Sequence, residues 1–237
     1  MKKGSKLLSI LSTLLTAAFL LTGAIAVPIL WRGFYYWQMD SLRLSYRSGF
    51  SPEVIREAFD QVMDFLVKGA PFGTGQLRWS QEGQAHFADC KALFQLDFLI
   101  LAVCAVALLV LALLRATRKV RLYRFLDKGS CFWALMLLAV ALGAILVWGL
   151  IDFESLFTAF HTLFFPGKSN WVFDWRMDQI ILILPEDFWA RAAVLVGAVA
   201  FGGGTVLALI EAACHRFAPT PSVYQELKDM SGKRLEK

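Results

Sequence analysis

Imidazole is the side chain best suited to moving protons near neutral pH, because its ordinary pKa of about 6.5 lies within the working range. The 237-residue chain has three, His86, His161 and His215. His215 adjoins Arg216 and reads as the solvated end of an apolar run. His86 is followed at helical offsets by Asp89, Leu93 and Asp97, which at 100° per residue share one face. Asp97 then lies on the order of 16 Å from His86 along the axis, at the edge of an apolar stretch where a carboxylate is costly. His161 sits in an aromatic segment with Phe157 and Phe164 within one turn, and Trp171 and Phe173 follow a Pro166-Gly167 break. Asp174, Arg176 and Asp178 close this stretch, and carboxylates flanking an arginine in a turn are expected to tie it together as ion pairs.

The missing patterns narrow the chemistry. There is no Gly-x-Ser-x-Gly elbow for a serine nucleophile and no His-Glu-x-x-His spacing for zinc. Two separated histidines and Asp89 make a poor metal set, so neither metal nor cofactor is expected. The one glycine cluster, Gly202-Gly203-Gly204, lies inside an apolar run and cannot cradle phosphate. Of four cysteines, Cys90 is isolated from the other three, so no disulfide framework is available, and its apolar setting reads as packing. What remains is acid/base chemistry on a lipid-like substrate, or no chemistry.

The elements that must hold these residues are set by composition. The chain is 57% hydrophobic and 18% charged, with a mean hydropathy of +0.55. Its apolar residues gather in four runs, 7–30, 93–114, 131–151 and 188–213, each long enough to cross a hydrocarbon core of roughly 30 Å. The fold class expected is an all-α membrane protein, a single domain of four transmembrane helices. Segments 31–92 and 152–187 form an extracytoplasmic cap. A cleavable signal peptide is the competing reading of the first run, because Ala24-Ile25-Ala26 resembles a cleavage site.

Charge assigns the sides. Lys2, Lys3 and Lys6, the loop 115–130 with Arg115, Arg118, Lys119, Arg121, Arg124 and Lys128, and the tail 214–237 carry most of the basic residues. The net charge of +5 resolves into about +9 on that side and about −4 on the other, and positive charge resists translocation. Both termini are therefore expected in the cytoplasm. The basic pI is a topology signature rather than a sign of nucleic-acid binding. Ala139 with Gly143, Ala193 with Gly197, and the Gly202 cluster are expected to bring helices into close contact.

The cap segments carry their own signals. Ser51-Pro52-Glu53 opens a helix whose Val54, Ile55, Ala58, Phe59, Val62 and Leu66 form an apolar face, ending at Lys68-Gly69. Trp31, Phe34, Tyr35, Tyr36 and Trp37 read as an interfacial aromatic belt. Ser80 caps a helix that runs from Gln81 into the second span without a breaker, and Ile180 to Leu184 is too short to span.

The blocks around the two outer histidines, His86-Phe-Ala-Asp89-Cys90-Lys91-Ala-Leu-Phe94 and Phe160-His161-Thr-Leu-Phe-Phe165 with Asn170-Trp171-Val-Phe-Asp174 and Asp178 through Phe188, resemble the signature blocks of the bacterial lipoprotein intramolecular transacylase family. The likeness extends over essentially the whole chain, with one departure at Cys90, where the family pattern has an aliphatic residue. The resemblance implies a four-helix membrane bundle with an extracytoplasmic cap. It also implies an acyltransferase that moves the sn-2 acyl chain of a diacylglyceryl lipoprotein to the α-amino group of its own N-terminal cysteine. On it, His86 and His161 are the catalytic pair.

Chemically, His161 would take a proton from the amine while His86, oriented by Asp89, stabilises the oxyanion or protonates the departing oxygen; the roles can be exchanged. Asp174 and Asp178 would support the site, and Phe157, Phe164, Trp171 and Phe173 would form its pocket. The partners expected are a diacylated lipoprotein and membrane lipid, with no nucleic acid, and the protein is expected to be a monomer. A membrane lipid hydrolase, another acyltransferase, or a noncatalytic assembly or binding protein remain the alternatives.

Overall fold

A chain surrounded by hydrocarbon must pair every backbone N–H and C=O within itself, so each long apolar run forms an uninterrupted helix. In the computed structural model, which describes residues 4–216, these are α1 (Lys6–Leu30), α5 (Gln81–Ala116), α6 (Ser130–Ile151) and α8 (Glu186–Arg216). All four are long and apolar enough to cross a membrane, and the protein is a multi-pass membrane protein. The expected basic residues Lys2 and Lys3, and the tail from 217 to 237, lie outside the described residues.

The first run is not peripheral to the bundle. Helix α1 packs against α5, α6 and α8, and it is the most deeply buried of the four spans. Apart from Leu20 and Ile29, its buried positions are small or hydroxylic: Ser9, Ser12, Thr16, Ala17, Thr22, Ala24 and Ala26. The hydroxyls of Ser9, Thr13, Thr16 and Thr22 donate to the carbonyls one turn back at 2.8 to 3.0 Å, so polar groups are satisfied within the helix and its surface stays thin. Of the contact sites expected on α6 and α8, the Gly202 cluster is borne out and the pairs at Gly143 and Gly197 are not. A Cβ added at Gly143 or Gly197 would meet nothing within 4 Å, and Ala193 is exposed. Close approach occurs at Gly203 and Gly204, against Leu20 and Leu135. Both approaches meet Leu20 of α1, the helix that the other three surround.

At the end bearing the Arg115–Lys128 loop, α6 has no cap of its own, because Gly129 stands at its N-cap. Glu211 of α8 supplies one, accepting from the Cys131 N–H at 2.9 Å and facing Arg115 at 3.6 Å. A carboxylate at a helix N-terminus is favoured by the helix dipole, and this one joins three helices at that end.

At the opposite end the cap consists of α2 (Gly33–Gln38), α3 (Leu44–Ser48), α4 (Pro52–Met63) with a π turn (Asp64–Lys68), α7 (Phe153–Phe164) and a 3₁₀ turn (Gln179–Leu182). Ser51 accepts from the Val54 N–H at 3.4 Å to start α4, and Gly69 ends the segment at φ +75°. Ile55, Ala58, Phe59, Val62 and Leu66 are buried as expected. They close over Tyr35, which stacks on Phe59 at 3.7 Å between ring centroids and donates its hydroxyl to the Ile183 carbonyl at 2.8 Å. The aromatic belt therefore divides: Trp31 and Trp37 are exposed, whereas Phe34 and Tyr35 are the centre of the cap core. Arg32 ties α2 to α4 and the π turn through Asp60 and Asp64, and with Lys68 it holds the Asp64 carboxyl below its ordinary value.

Because Tyr35 is 1% exposed and its hydroxyl bonds a buried carbonyl, Tyr35→Phe is expected to cost about 1 to 2 kcal/mol. Phe59→Ala, which empties the stacked face, is expected to cost about 3 to 5 kcal/mol. Thermal unfolding of the detergent-solubilised protein measures both.

Candidate active site

The site is assembled where α5 leaves the apolar region and α7 returns to it. Ser80 is in extended conformation and its hydroxyl accepts from the Gly83 N–H at 2.9 Å, so α5 starts about three turns before the apolar run at residue 93 and carries His86 on that extension. Asp152 caps α7 by accepting from the Ser155 N–H at 2.9 Å, and α7 lies along the outer end of α6. The chain breaks at Pro166-Gly167, where Gly167 has φ +73°.

His86 and His161 face each other with ring centroids 5.7 Å apart, and both are more than nine-tenths buried. Aromatic rings enclose them. Phe157 lies 4.0 Å and Trp171 4.7 Å from the His161 ring, and Phe173 lies 5.4 Å from His86. Of the four rings expected in the pocket, Phe164 is not there; it pairs with Phe160 and is half exposed. Phe165 takes its place, at 5.0 Å from His86 and 5.7 Å from His161. The helix ends at Phe164, so the next residue leaves the helical spiral and its ring turns against both imidazoles.

The nitrogens of the pair are in different situations. His161 Nδ1 is 2.8 Å from the Phe157 carbonyl oxygen, which can only accept, so Nδ1 carries the proton and Nε2 presents a lone pair. Burial lowers the His161 pKa from its ordinary 6.5, which keeps that lone pair free at neutral pH. His86 Nε2 lies 3.4 Å from the Cys90 Sγ, and its Nδ1 is buried without a hydrogen-bond partner.

The expected orienting carboxylates act elsewhere. Asp89 does not hydrogen-bond His86; it accepts from Lys168 Nζ at 2.5 Å and from Asn170 Nδ2 at 3.1 Å. A carboxylate one turn along the helix is better matched to a nearby ammonium than to a ring already turned toward Cys90 and the cage. Asp178 accepts from the Ser80 N–H and hydroxyl, each at 2.8 Å, and a Cβ at Gly83 would collide with it. Asp174 is exposed and accepts from the backbone N–H of Arg176 at 2.9 Å, while the Arg176 guanidinium lies 5.2 Å from the Trp175 ring. The expected Asp–Arg–Asp ion pairs are thus replaced by hydrogen bonds that fold the 165–178 loop onto α5. Asp97 lies further along α5, with one carboxylate oxygen buried and unpaired, and the structure does not bring it to the histidines.

Two residues of the site escaped the sequence reading. Phe165 gave no signal beyond its place in an aromatic run. Asn170 holds Asp89 through its amide nitrogen and leaves its Oδ1 buried and unpaired, and a polar side chain inside a Phe/Trp segment is the sign that marks it.

Four apolar helices carrying a cap that buries two imidazoles among aromatic rings define an integral membrane protein with a candidate acid/base site. The model of the family described as "Lipoprotein intramolecular transacylase Lit" matches residues 10–189, and the chain belongs to that family. It is thereby an acyltransferase family member. The membrane-integral lipoprotein intramolecular transacylase Lit from Bacillus cereus has the same fold: TM-score 0.80, 21% identity, covering 89% of this chain and 95% of that one. Two variants of that protein also match. One, with a histidine replaced by arginine, has a TM-score of 0.75 at 20% identity, covering 90% and 94% of the two chains; the other, with histidine replaced by alanine, has 0.71 at 21%, covering 84% and 88%. No curated protein matches the chain.

The loop that closes the chamber hangs on Asp178, which gives a direct test. Asp178→Ala leaves the Ser80 N–H without its acceptor and is expected to lower both the melting temperature and the turnover. Exchange of the Ser80–Gly83 amides, followed by hydrogen–deuterium exchange with mass spectrometry, should rise with them.

Proposed function

We propose that the protein moves the sn-2 acyl chain of a diacylglyceryl lipoprotein onto the α-amino group of the lipoprotein's own N-terminal cysteine, with His161 as the base and His86 as the oxyanion donor. The observation that carries the assignment is the hydrogen bond from His161 Nδ1 to Phe157 O, which leaves Nε2 as the acceptor in the pair. In the reaction the neutral amine attacks the ester carbonyl carbon, forming the C–N bond and an oxyanion. His161 Nε2 takes the ammonium proton and returns it to the glyceryl oxygen as the C–O bond breaks. One proton has then moved from nitrogen to oxygen, and no acyl-protein intermediate is needed.

The amine reaches the ester through a ring of N, Cα, Cβ, sulfur, CH2, CH, oxygen and the carbonyl carbon. Rings of this size close reluctantly, so holding the folded-back conformer is a large part of catalysis, worth up to several kcal/mol. The chamber of Phe157, Phe165, Trp171 and Phe173 suits that task. Its rings also exclude water, which favours attack by the tethered amine over hydrolysis. We further propose that the loop 115–130 and both termini face the cytoplasm and that the chamber opens at the outer leaflet. The basic loop supports this orientation, because positive charge resists translocation.

His161→Ala and His86→Ala are each expected to reduce turnover by about 10²- to 10⁴-fold. Mass spectrometry of the lipoprotein N-terminus reads the result as loss of the N-acylated lyso form. A lipoprotein that stays diacylated whether or not the wild-type protein is expressed would refute the reaction.

The pH dependence follows from two deprotonations. An α-amine has a pKa near 8, and His161 titrates below its ordinary 6.5. Log(kcat/KM) should therefore fall with unit slope below about pH 8 and steepen to a slope of two only below pH 6.5. A slope that stays at one down to the acid limit of the protein's stability would contradict a His161 base.

A further inference from the structure

We infer that Cys90 is a positioning residue for this reaction: its thiol donates to Nε2 of His86 and so fixes that imidazole in the Nδ1–H form that stabilises the oxyanion. The inference rests on the site reading above and deepens it. Cys90 is one turn beyond His86 on α5, its Sγ is 3.4 Å from Nε2, and it is packed against the cap core away from the aqueous phase. A neutral thiol is a weak donor and a still poorer acceptor, so between it and a neutral imidazole the proton on sulfur points to the nitrogen lone pair. That contact assigns the ring's own proton to Nδ1.

The second observation is Nδ1 itself. It is buried and has no partner on a residue that is 6% exposed. An N–H left in that state is destabilising unless something arrives to accept from it. The chamber contains no protein oxygen hydrogen-bonded to it, and Asp89, the carboxylate expected to orient His86, is engaged by Lys168 and Asn170. A developing carbonyl oxyanion is the acceptor that this N–H lacks, and a donor held in place before the charge appears stabilises the transition state without reorganising. With an aliphatic side chain at residue 90 either tautomer would be open, and the Nε2–H form would direct a lone pair at the oxyanion.

The test uses the full chain in detergent micelles, labelled with ¹⁵N-histidine. Three histidines give a small set of ring signals, assigned by the His86 and His161 substitutions. In the wild type, His86 is expected to show a protonated Nδ1 and an unprotonated, hydrogen-bonded Nε2. In Cys90→Ala the signals should move toward a mixture of tautomers, and kcat should fall about three- to tenfold with KM unchanged. Cys90→Ser, whose hydroxyl also donates, should restore the Nδ1–H signal and most of the rate. A wild-type His86 protonated at Nε2, or identical His86 signals and kcat in Cys90→Ala, overturns the inference. The site reading is judged separately, by whether His86→Ala abolishes N-acylation.

Discussion

The docking of the 165–178 loop onto the start of α5 is the contact on which the chamber depends. Helix α7 touches α6, and the residues that follow it, Phe165 and Trp171, cover His161. Three sets of hydrogen bonds bring the following loop back: Asp178 to the N–H and hydroxyl of Ser80, Gln179 to Arg78, and Lys168 with Asn170 to Asp89. Each uses a group that would otherwise be unpaired at a helix terminus or beside an apolar surface, so formation of the loop and capping of α5 are one event. Once they occur, Trp171 and Phe173 have nowhere to go but onto the two imidazoles.

The same closure explains why the site works with two groups of ordinary chemistry. Imidazoles near each other in water would be partly protonated and mobile. Ringed by Phe157, Phe165, Trp171 and Phe173, they stay uncharged, because a dry aromatic surrounding penalises the imidazolium. Neutral rings must choose a tautomer, and here the choice is made by what each nitrogen touches: a carbonyl one turn back for His161, a thiol one turn ahead for His86. In the proposed mechanism the helix period thus separates base from donor, and the carboxylates nearby serve the architecture.

Below the cap, α1 is the axis. Its serine, threonine and alanine positions give three neighbouring helices a narrow surface, and the α5 extension that carries His86 begins from a span seated against it. The periodicity of α4 was readable because an amphipathic helix with Ser-Pro-Glu at its start has few other solutions, and every one of its expected core positions except half-buried Val54 is buried. The contact faces of the spans were not readable in that way. Leucine and glycine are equally at home against lipid and against helix, so pattern alone marked Gly143 and Gly197, which meet no neighbour, along with the Gly202 cluster of α8, which does.

The sequence by itself determined the class and the actors. Apolar runs long enough to span, a basic loop, and two histidines set among rings and acids follow from composition and spacing, because hydrocarbon thickness and charge translocation constrain residues one at a time. Only the tertiary structure decided that Phe165 and not Phe164 enters the chamber, that Asp89 and Asp178 fasten a loop, and that the two imidazoles have opposite hydrogen-bonding duties. These depend on where a helix stops and which of several carboxylates a distant ammonium or amide reaches first. Such pairings join residues some 80 to 100 positions apart, for example Asp89 with Lys168 and Ser80 with Asp178, and nothing local in the chain encodes them.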